Sequence, residues 1–239
     1  MAREAEIRAG LVAVRERIGA ACEAVARDPG EVTLVVVTKT YPASDVELLA
    51  GLGVADVGEN RDQEAAPKAA AVAAAGARVR WHFVGQLQRN KCRSVAGYAD
   101  VVHSVDGVRL ARALAGAAER HRERPLDVLV QVSIDGDPAR GGAVVGAGEP
   151  DRQLDRVAAA VAGAAPLRLA GVMAVAPMHW VPEAAFEKLA EVSARLRADY
   201  PAATAVSAGM SGDLEPAIAH GATHVRIGSA VLGTRAKLR

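Results

Sequence analysis

Lys39 closes an apolar, β-branched run, Val32-Thr33-Leu34-Val35-Val36-Val37-Thr38. Such a run is the pattern of a strand buried on both faces of a parallel sheet. A lysine at its end is expected to keep its stem in the core and its amine at the rim. Desolvation there favours the neutral amine that condenses with a carbonyl. Taken alone, Lys39 reads equally as a lysine that reaches into solvent or pairs with Glu59. Two glycine turns add a second chemistry. Ser207-Ala208-Gly209-Met210-Ser211-Gly212-Asp213 and Arg226-Ile227-Gly228-Ser229 each end a candidate strand. Glycines let a backbone approach an anion, serine hydroxyls add donors, and Arg226 adds charge. Either turn alone reads as an ordinary turn with a Ser or Asp cap. Together they read as a phosphate site. Gly58-Glu59-Asn60, His82 and His103 end other candidate strands. His82 reads as a core histidine or a support behind the site. His179, His220 and His224 lack metal-ligand spacing, so no metal is expected.

The elements that must position these residues follow from periodicity. A helix over Ala5–Val25 carries Ile7, Leu11, Val14, Ile18, Cys22 and Val25 on one face. Candidate strands are Val32–Thr38, Val54–Val57, Val79–Val84, Val101–Ser104, Leu126–Ile134, Leu167–Ala174, Thr204–Ser207 and His224–Ile227. Helices are expected between them over Ser44–Leu52, Arg61–Ala75, Asn90–Ala96, Gly107–Arg122, Pro150–Gly163, Pro182–Asp199 and Asp213–His220. Alternating strands and helices imply a parallel sheet, and eight strands close a (β/α)8 TIM barrel. An open doubly wound sheet is the alternative, but no Gly-x-Gly-x-x-Gly follows the first strand. The segment after the last strand, Ser229–Arg239, is short, so the N-terminal helix is expected to cover that wall. Closure would set Lys39 between the phosphate turns and Glu59-Asn60. A phosphate anchor and a nucleophilic lysine with room for a ring between them describe a pyridoxal-phosphate pocket. The glycine-rich stretch from Asp135 to Gly148 follows strand five and reads as a surface loop, with a lid as the alternative.

Composition sets the bounds. The chain has 239 residues, with 29 Lys and Arg against 28 Asp and Glu, a net charge of +1. That balance excludes a general polycation. Hydrophobic residues make up 51% and aromatic residues 3%, so alanine and aliphatic side chains must fill the core. Arg89, Lys91 and Arg93 form a small basic patch, but the low aromatic content offers no stacking platform for nucleic acid. Cys22 and Cys92 make no disulfide framework, and Cys92 reads as a surface thiol. Arg120, Arg122 and Arg124 read as a solvated helix end. The start, MAREAEIRAG, lacks the apolar segment of a signal peptide, and no apolar run reaches the roughly 18 residues of a membrane span. The expectation is one cytoplasmic domain over residues 1–239.

At these motifs the chain resembles the pyridoxal phosphate homeostasis family, the YggS-like proteins. The resemblance rests on Val37-Thr38-Lys39-Thr40 with Pro42; Gly58-Glu59-Asn60 with Gln63-Glu64; Trp81-His82-Phe83-Val84-Gly85-Gln86-Leu87-Gln88 with Asn90-Lys91; His103-Ser104-Val105-Asp106; Ser207-Ala208-Gly209-Met210-Ser211 with Asp213 and Glu215; and Val225-Arg226-Ile227-Gly228. It implies a fold-type III barrel like the N-terminal domain of alanine racemase. It also implies that Lys39 holds pyridoxal 5'-phosphate as a Schiff base. Ser207, Gly209, Met210, Ser211, Arg226, Gly228 and Ser229 would lie around the phosphate, and Asn60 near the ring. Arg61 stands where the family commonly has Tyr, and Ala208 where it often has Met.

The implied role is non-catalytic buffering or delivery of the cofactor, with PLP-dependent apo-enzymes as partners and a monomer as the expected state. A PLP-dependent amino-acid racemase is the alternative. Racemisation needs acid/base groups on both faces. In alanine racemase a tyrosine, a second domain and a partner subunit help, whereas here one barrel uses the whole chain and only Tyr41 is near Lys39. A phosphosugar isomerase or Schiff-base aldolase fits His103 and Lys39, but Met173-Ala174-Val175-Ala176-Pro177 offers no carboxylate base.

Overall fold

The β-branched runs become strands because their residues can be buried on both faces at once. A computed structural model of the chain describes residues 2–137, 140–146 and 148–233. The eight strands are β1 (Thr33–Val37), β2 (Asp56–Glu59), β3 (Arg80–Phe83), β4 (Val101–Val105), β5 (Leu126–Gln131), β6 (Leu167–Met173), β7 (Ala205–Ser207) and β8 (His224–Ile227). They pair in sequence order, all parallel, and β8 returns to β1 to close the barrel. The register sets Val35 of β1 opposite Arg226, Gly58 opposite His82, and Met173 opposite Ser207.

Helices wrap this wall: α1 (Ala2–Glu23), α2 (Ala43–Gly51), α3 (Asp62–Ala74), α4 (Cys92–Tyr98), α5 (Val108–His121), α6 (Leu154–Ala162), α7 (Pro182–Asp199), α8 (Leu214–Ala219) and α9 (Ser229–Leu232). Most of the core lies between strands and helices. Inside the barrel the apolar filling is small, with Val101, Leu129 and Met173 packed against Ala170 and Ala205. That leaves interior room for polar side chains. At Gly171 a Cβ would sit 1.8 Å from the Ala205 carbonyl oxygen, so only glycine lets β6 pair with β7 at this spacing. The N-terminal helix does cover the last part of the wall. A Cβ on Gly10 would lie 2.4 Å from the Val231 carbonyl oxygen, and Arg27 donates to the carbonyls of Ile218 and Ala222.

Several boundaries differ from expectation. Strand five stops at Gln131; Val132 still donates to the Met173 carbonyl but also bridges Ala143, and Val144 then bridges Gln153. The glycine-rich stretch is therefore tied back onto the barrel by these bridges; Pro138, Ala139 and Ala147 lie outside the described residues, as do residues 234–239. The helix expected from Pro150 begins as a 3-10 turn, Pro150–Arg152, and α6 starts only after extended Gln153. The segment expected from Asn90 likewise opens with a 3-10 turn over Arg89–Lys91. Two surface expectations are corrected. Cys92 is 2% exposed, and burial pushes its thiol up to about 11. Arg122 folds back to donate to the carbonyls of Ala96 and Ala99, where it satisfies the end of α4. Among the described residues, no helix is long and apolar enough to cross a membrane.

Candidate functional site

The end of β1 is built to hold one turn in place. Thr38 is fully buried; its hydroxyl donates to Glu59 Oε1 at 2.6 Å. Lys68 Nζ donates to that same oxygen at 2.6 Å and to the Thr38 carbonyl at 2.8 Å. The Lys68–Glu59 pair is itself buried, at 8% and 1% side-chain exposure. Thr40 follows in the left-handed region, at φ 68°, with its N–H on Glu64 Oε2. A β-branched residue there is strained and persists only when its surroundings fix it. Lys39 sits between these anchors. Thr38, not Lys39, takes the last buried position of the run, so the expected burial of the Lys39 stem is corrected: its side chain is exposed. The alternative pairing with Glu59 does not form either; the lysine paired with that buried carboxylate, through Oε1, is Lys68. Among the described residues the Lys39 amine has no hydrogen-bond or ion-pair partner.

The strands on either side bring up the other expected residues. Gly228, just after β8, abuts β1: a Cβ there would lie 3.2 Å from the Val37 carbonyl oxygen. Asn60, just after β2, is half-buried, and its backbone packs on Gly85, where a Cβ would lie 2.0 Å from the Asn60 carbonyl oxygen. After β7 the chain turns at Gly209, φ 89°, whose carbonyl accepts from the Arg226 N–H at 2.9 Å. Met210 exposes its side chain, but its N–H is already bound to Asp213 Oδ1 at 2.6 Å. The N–H groups of Ser211, Gly212 and Ser229 donate to no carbonyl among the turn and loop hydrogen bonds of the described residues.

The resemblance sets Ser207 and Arg226 around the phosphate. Both are buried inside the barrel. Arg226 Nη1 donates to Ser207 Oγ at 2.7 Å and Nη2 to the Ala174 carbonyl at 3.0 Å. Those partners end β7 and follow β6, so the guanidinium lies level with the C-terminal rim, beneath the turns. Burial lowers its pKa to about 10, and Asp213 partly offsets that.

From Ser207 a polar chain runs down through the barrel. Ser207 Oγ meets His103 Nδ1 at 2.9 Å, His103 Nε2 meets His82 Nδ1 at 2.8 Å, and His82 Nε2 meets Asp56 Oδ1 at 2.8 Å. Asp56 opens β2, so the chain ends at the opposite rim. Burial, helped by His82 and Arg226, holds His103 well below the ordinary histidine range. Burial likewise lowers His224 to about 4, with His82 as a second cause. Burial alone would raise Asp56; the His82 hydrogen bond and the nearby positive charge hold its carboxylate below the usual range.

Sequence reasoning found the rim and missed this interior. It placed His82 and His103 at strand ends without joining them, and it passed over Asp56 and Lys68. Lys68 did carry a signal: with Ala65, Ala69 and Val72 it falls on the buried stripe of α3. A lysine on such a stripe needs a buried partner. Among the described residues no group of three or more His, Cys, Asp or Glu is arranged to hold a metal ion.

The sequence model of the family described as "Alanine racemase, N-terminal domain" matches residues 11–236. The "Pyridoxal phosphate homeostasis protein" of Mycobacterium tuberculosis is 45% identical over 98% of this chain and 94% of its own. A crystal structure of an unknown protein from Bifidobacterium adolescentis superposes with a TM-score of 0.86 at 30% identity, covering 96% of each chain. PipY of Synechococcus elongatus, solved with PLP bound, superposes with a TM-score of 0.77 at 28% identity, covering 95% of this chain and 100% of that one.

Proposed function

Because the chain belongs to the family of the pyridoxal phosphate homeostasis proteins, built on the alanine racemase N-terminal domain, we propose that it holds pyridoxal 5'-phosphate on Lys39. Its role on this reading is intracellular homeostasis of that cofactor, by buffering and delivery without turnover. One observation carries the assignment: an amine with no partner among the described residues follows a turn fixed by a buried network at the end of β1, and the neighbouring strands β8 and then β7 end in glycine and serine turns above buried Arg226.

The residues present fit the group. A ring-bearing phosphate dianion needs an amine, a positive floor and several uncommitted donors within one cup. Lys39 supplies the amine and buried Arg226 the floor. The Ser211 and Ser229 hydroxyls, with the N–H groups of Ser211, Gly212 and Ser229, are the donors the phosphate would take. Gly209 and Gly228 keep side chains out of the turns, and Asn60 stands on the other side of Lys39 to flank the ring. When bound, pyridoxal phosphate supplies an aldehyde that condenses with a lysine amine and releases water. The chain's own part is to bind and orient. Lys68 and Glu59 fix the turn that carries the amine, and Arg226 presents positive charge from below. Ser207 serves Arg226 and is not a phosphate donor on this reading, and Met210 contributes a side chain and not its N–H.

Retention without turnover is supported by the tyrosines. Racemisation needs a second acid/base group on the face opposite the lysine. Tyr41, the nearest, donates its hydroxyl to the Gly233 carbonyl. Tyr98 is half-buried beneath the wall and burial pushes its pKa up. Tyr200 ends α7 and packs against the outer core. The site opens to solvent at Lys39, which suits exchange of the cofactor with partner apo-enzymes. Absorbance of the purified protein with pyridoxal phosphate, before and after adding free amino acids, tests the reading. Wild type is expected to show the visible band of a lysine-linked chromophore, and Lys39→Ala to lose it. An unchanged band in Lys39→Ala rejects the assignment, and robust racemisation of any common amino acid rejects the carrier role.

A further inference from the structure

The interior chain has a direction that its partners force. Arginine can only donate, so Ser207 Oγ accepts from Arg226 Nη1. The single Ser207 proton then goes to His103 Nδ1, its other contact. His103 thereby carries its proton on Nε2 and donates to His82 Nδ1, and His82 carries its proton on Nε2 and donates to the Asp56 carboxylate. Every group in the chain is satisfied, and both rings stay neutral. The opposite arrangement puts an imidazolium at His82 and a proton on His103 Nδ1. It leaves the Ser207 hydroxyl proton without an acceptor. It also buries a further cation near Arg226, Arg80 and His224, whose facing anions are Asp56 and Asp213, with Asp127 behind Arg80.

We propose that Asp56, His82, His103 and Ser207 form one polarised relay across the barrel whose task is to position Arg226 beneath the cofactor cup; the cup itself rests on the reading above. A hydrogen-bonded hydroxyl that donates its own proton becomes a better acceptor, so bonds in such a chain strengthen one another. Ser207 alone would be a free rotor. Held by His103, it offers Arg226 a fixed acceptor. The Asp56 carboxylate at the far rim supplies the negative end of a chain whose positive end is the guanidinium. Asp56, His82 and His103 are thus positioning residues: they act on the ligand only through Arg226. They also explain the sparse apolar filling of the barrel, where a relay of four polar side chains replaces aliphatic layers.

Nitrogen NMR of the full chain, 15N-labelled at histidine and without added cofactor, reads the tautomers directly. Both His82 and His103 are expected as neutral Nε2–H rings at neutral pH. An imidazolium at His82, or a proton on His103 Nδ1, overturns the relay. The second measurement uses Asp56→Asn. Its carboxamide can turn an N–H toward His82 and reverse every bond down to Ser207. Retention of pyridoxal phosphate is expected to weaken about tenfold, the usual order for outer partners of a bound group. The visible band should shift while the Lys39 linkage still forms. A merely structural loss would lower stability and leave the band in place. Unchanged affinity and band in a folded Asp56→Asn protein overturn the proposal, and if that variant does not fold the wild-type tautomers decide. If wild type binds no pyridoxal phosphate, the cofactor reading fails, while the tautomers still judge the relay.

Discussion

Replacing Lys68 by methionine keeps most of the apolar stem of the side chain and removes its charge together with its donors to Glu59 and the Thr38 carbonyl. Glu59, 1% exposed, would then keep the Thr38 hydroxyl as its one partner, and its Oε2 already has none. Removing one member of a buried ion pair costs about 3–5 kcal/mol, because the remaining charge is left uncompensated. Glu59 can relieve part of this by taking a proton, so the lower end, about 3 kcal/mol, is expected for Lys68→Met. The carbonyl of Thr38 also loses its donor, so the Lys39 turn should loosen and release pyridoxal phosphate faster. Denaturant unfolding measures the first effect, and buried Trp81, edge-on to Tyr98, is a ready fluorescence probe. Adding Glu59→Gln removes the stranded charge and should recover at least half of the lost stability. A loss below about 1 kcal/mol for Lys68→Met, the range of exposed pairs, would refute the argument. So would a double variant no more stable than the single one.

Other expectations follow from the same structure. His224, lowered to about 4, and His103, held well below the ordinary histidine range by burial, are neutral in the fold but titrate near 6.5 when unfolded. The unfolded chain therefore binds more protons in that window, and stability present above pH 6.5 is lost as the pH falls toward 4. His224 alone accounts for about 3 kcal/mol of this, and Asp56, held low in the fold, adds to the loss as its own range is reached. Thermal midpoints taken from pH 7.5 to 5 should fall steadily; a flat profile contradicts the burial of neutral rings. Gly171→Ala drives a Cβ into the Ala205 backbone and should destabilise by about 3 kcal/mol, since backbone yields less readily than a side chain. Gly19→Ala, in α1 with open space around it, should instead stabilise by about 0.5–1 kcal/mol. Equal unfolding midpoints for these two variants would undo that contrast.

The barrel was legible because burial on both faces leaves a mark that local sequence carries. Runs such as Val32–Thr38 and Leu126–Ile134 show it, and only their ends moved. Where they moved, a long-range partner intervened, as where Val132 bridges Ala143. The rim residues were legible as well, since a lysine or a glycine turn after an apolar run needs no distant information. The relay was not. Asp56, His82, His103, Ser207 and Arg226 come from five strands, and only closure and register bring them within hydrogen-bond reach. Each reads in isolation as a stray polar residue. Lys68 stood between these cases, visible as a charge on a buried stripe but without a partner until α3 packed beside Glu59. Cys92 misled because its basic neighbours, Lys91 and Arg93, turn outward while the thiol turns into the core.

The central claim is that the Lys39 amine is the point of attachment for pyridoxal phosphate. Borohydride reduction of the loaded full-length protein, followed by peptide mass mapping, tests it most directly. The pyridoxyl mark is expected on Lys39 and absent from Lys68 and Lys91, both of which are engaged with carboxylates. A mark on another lysine, or none at all under saturating cofactor, would contradict it.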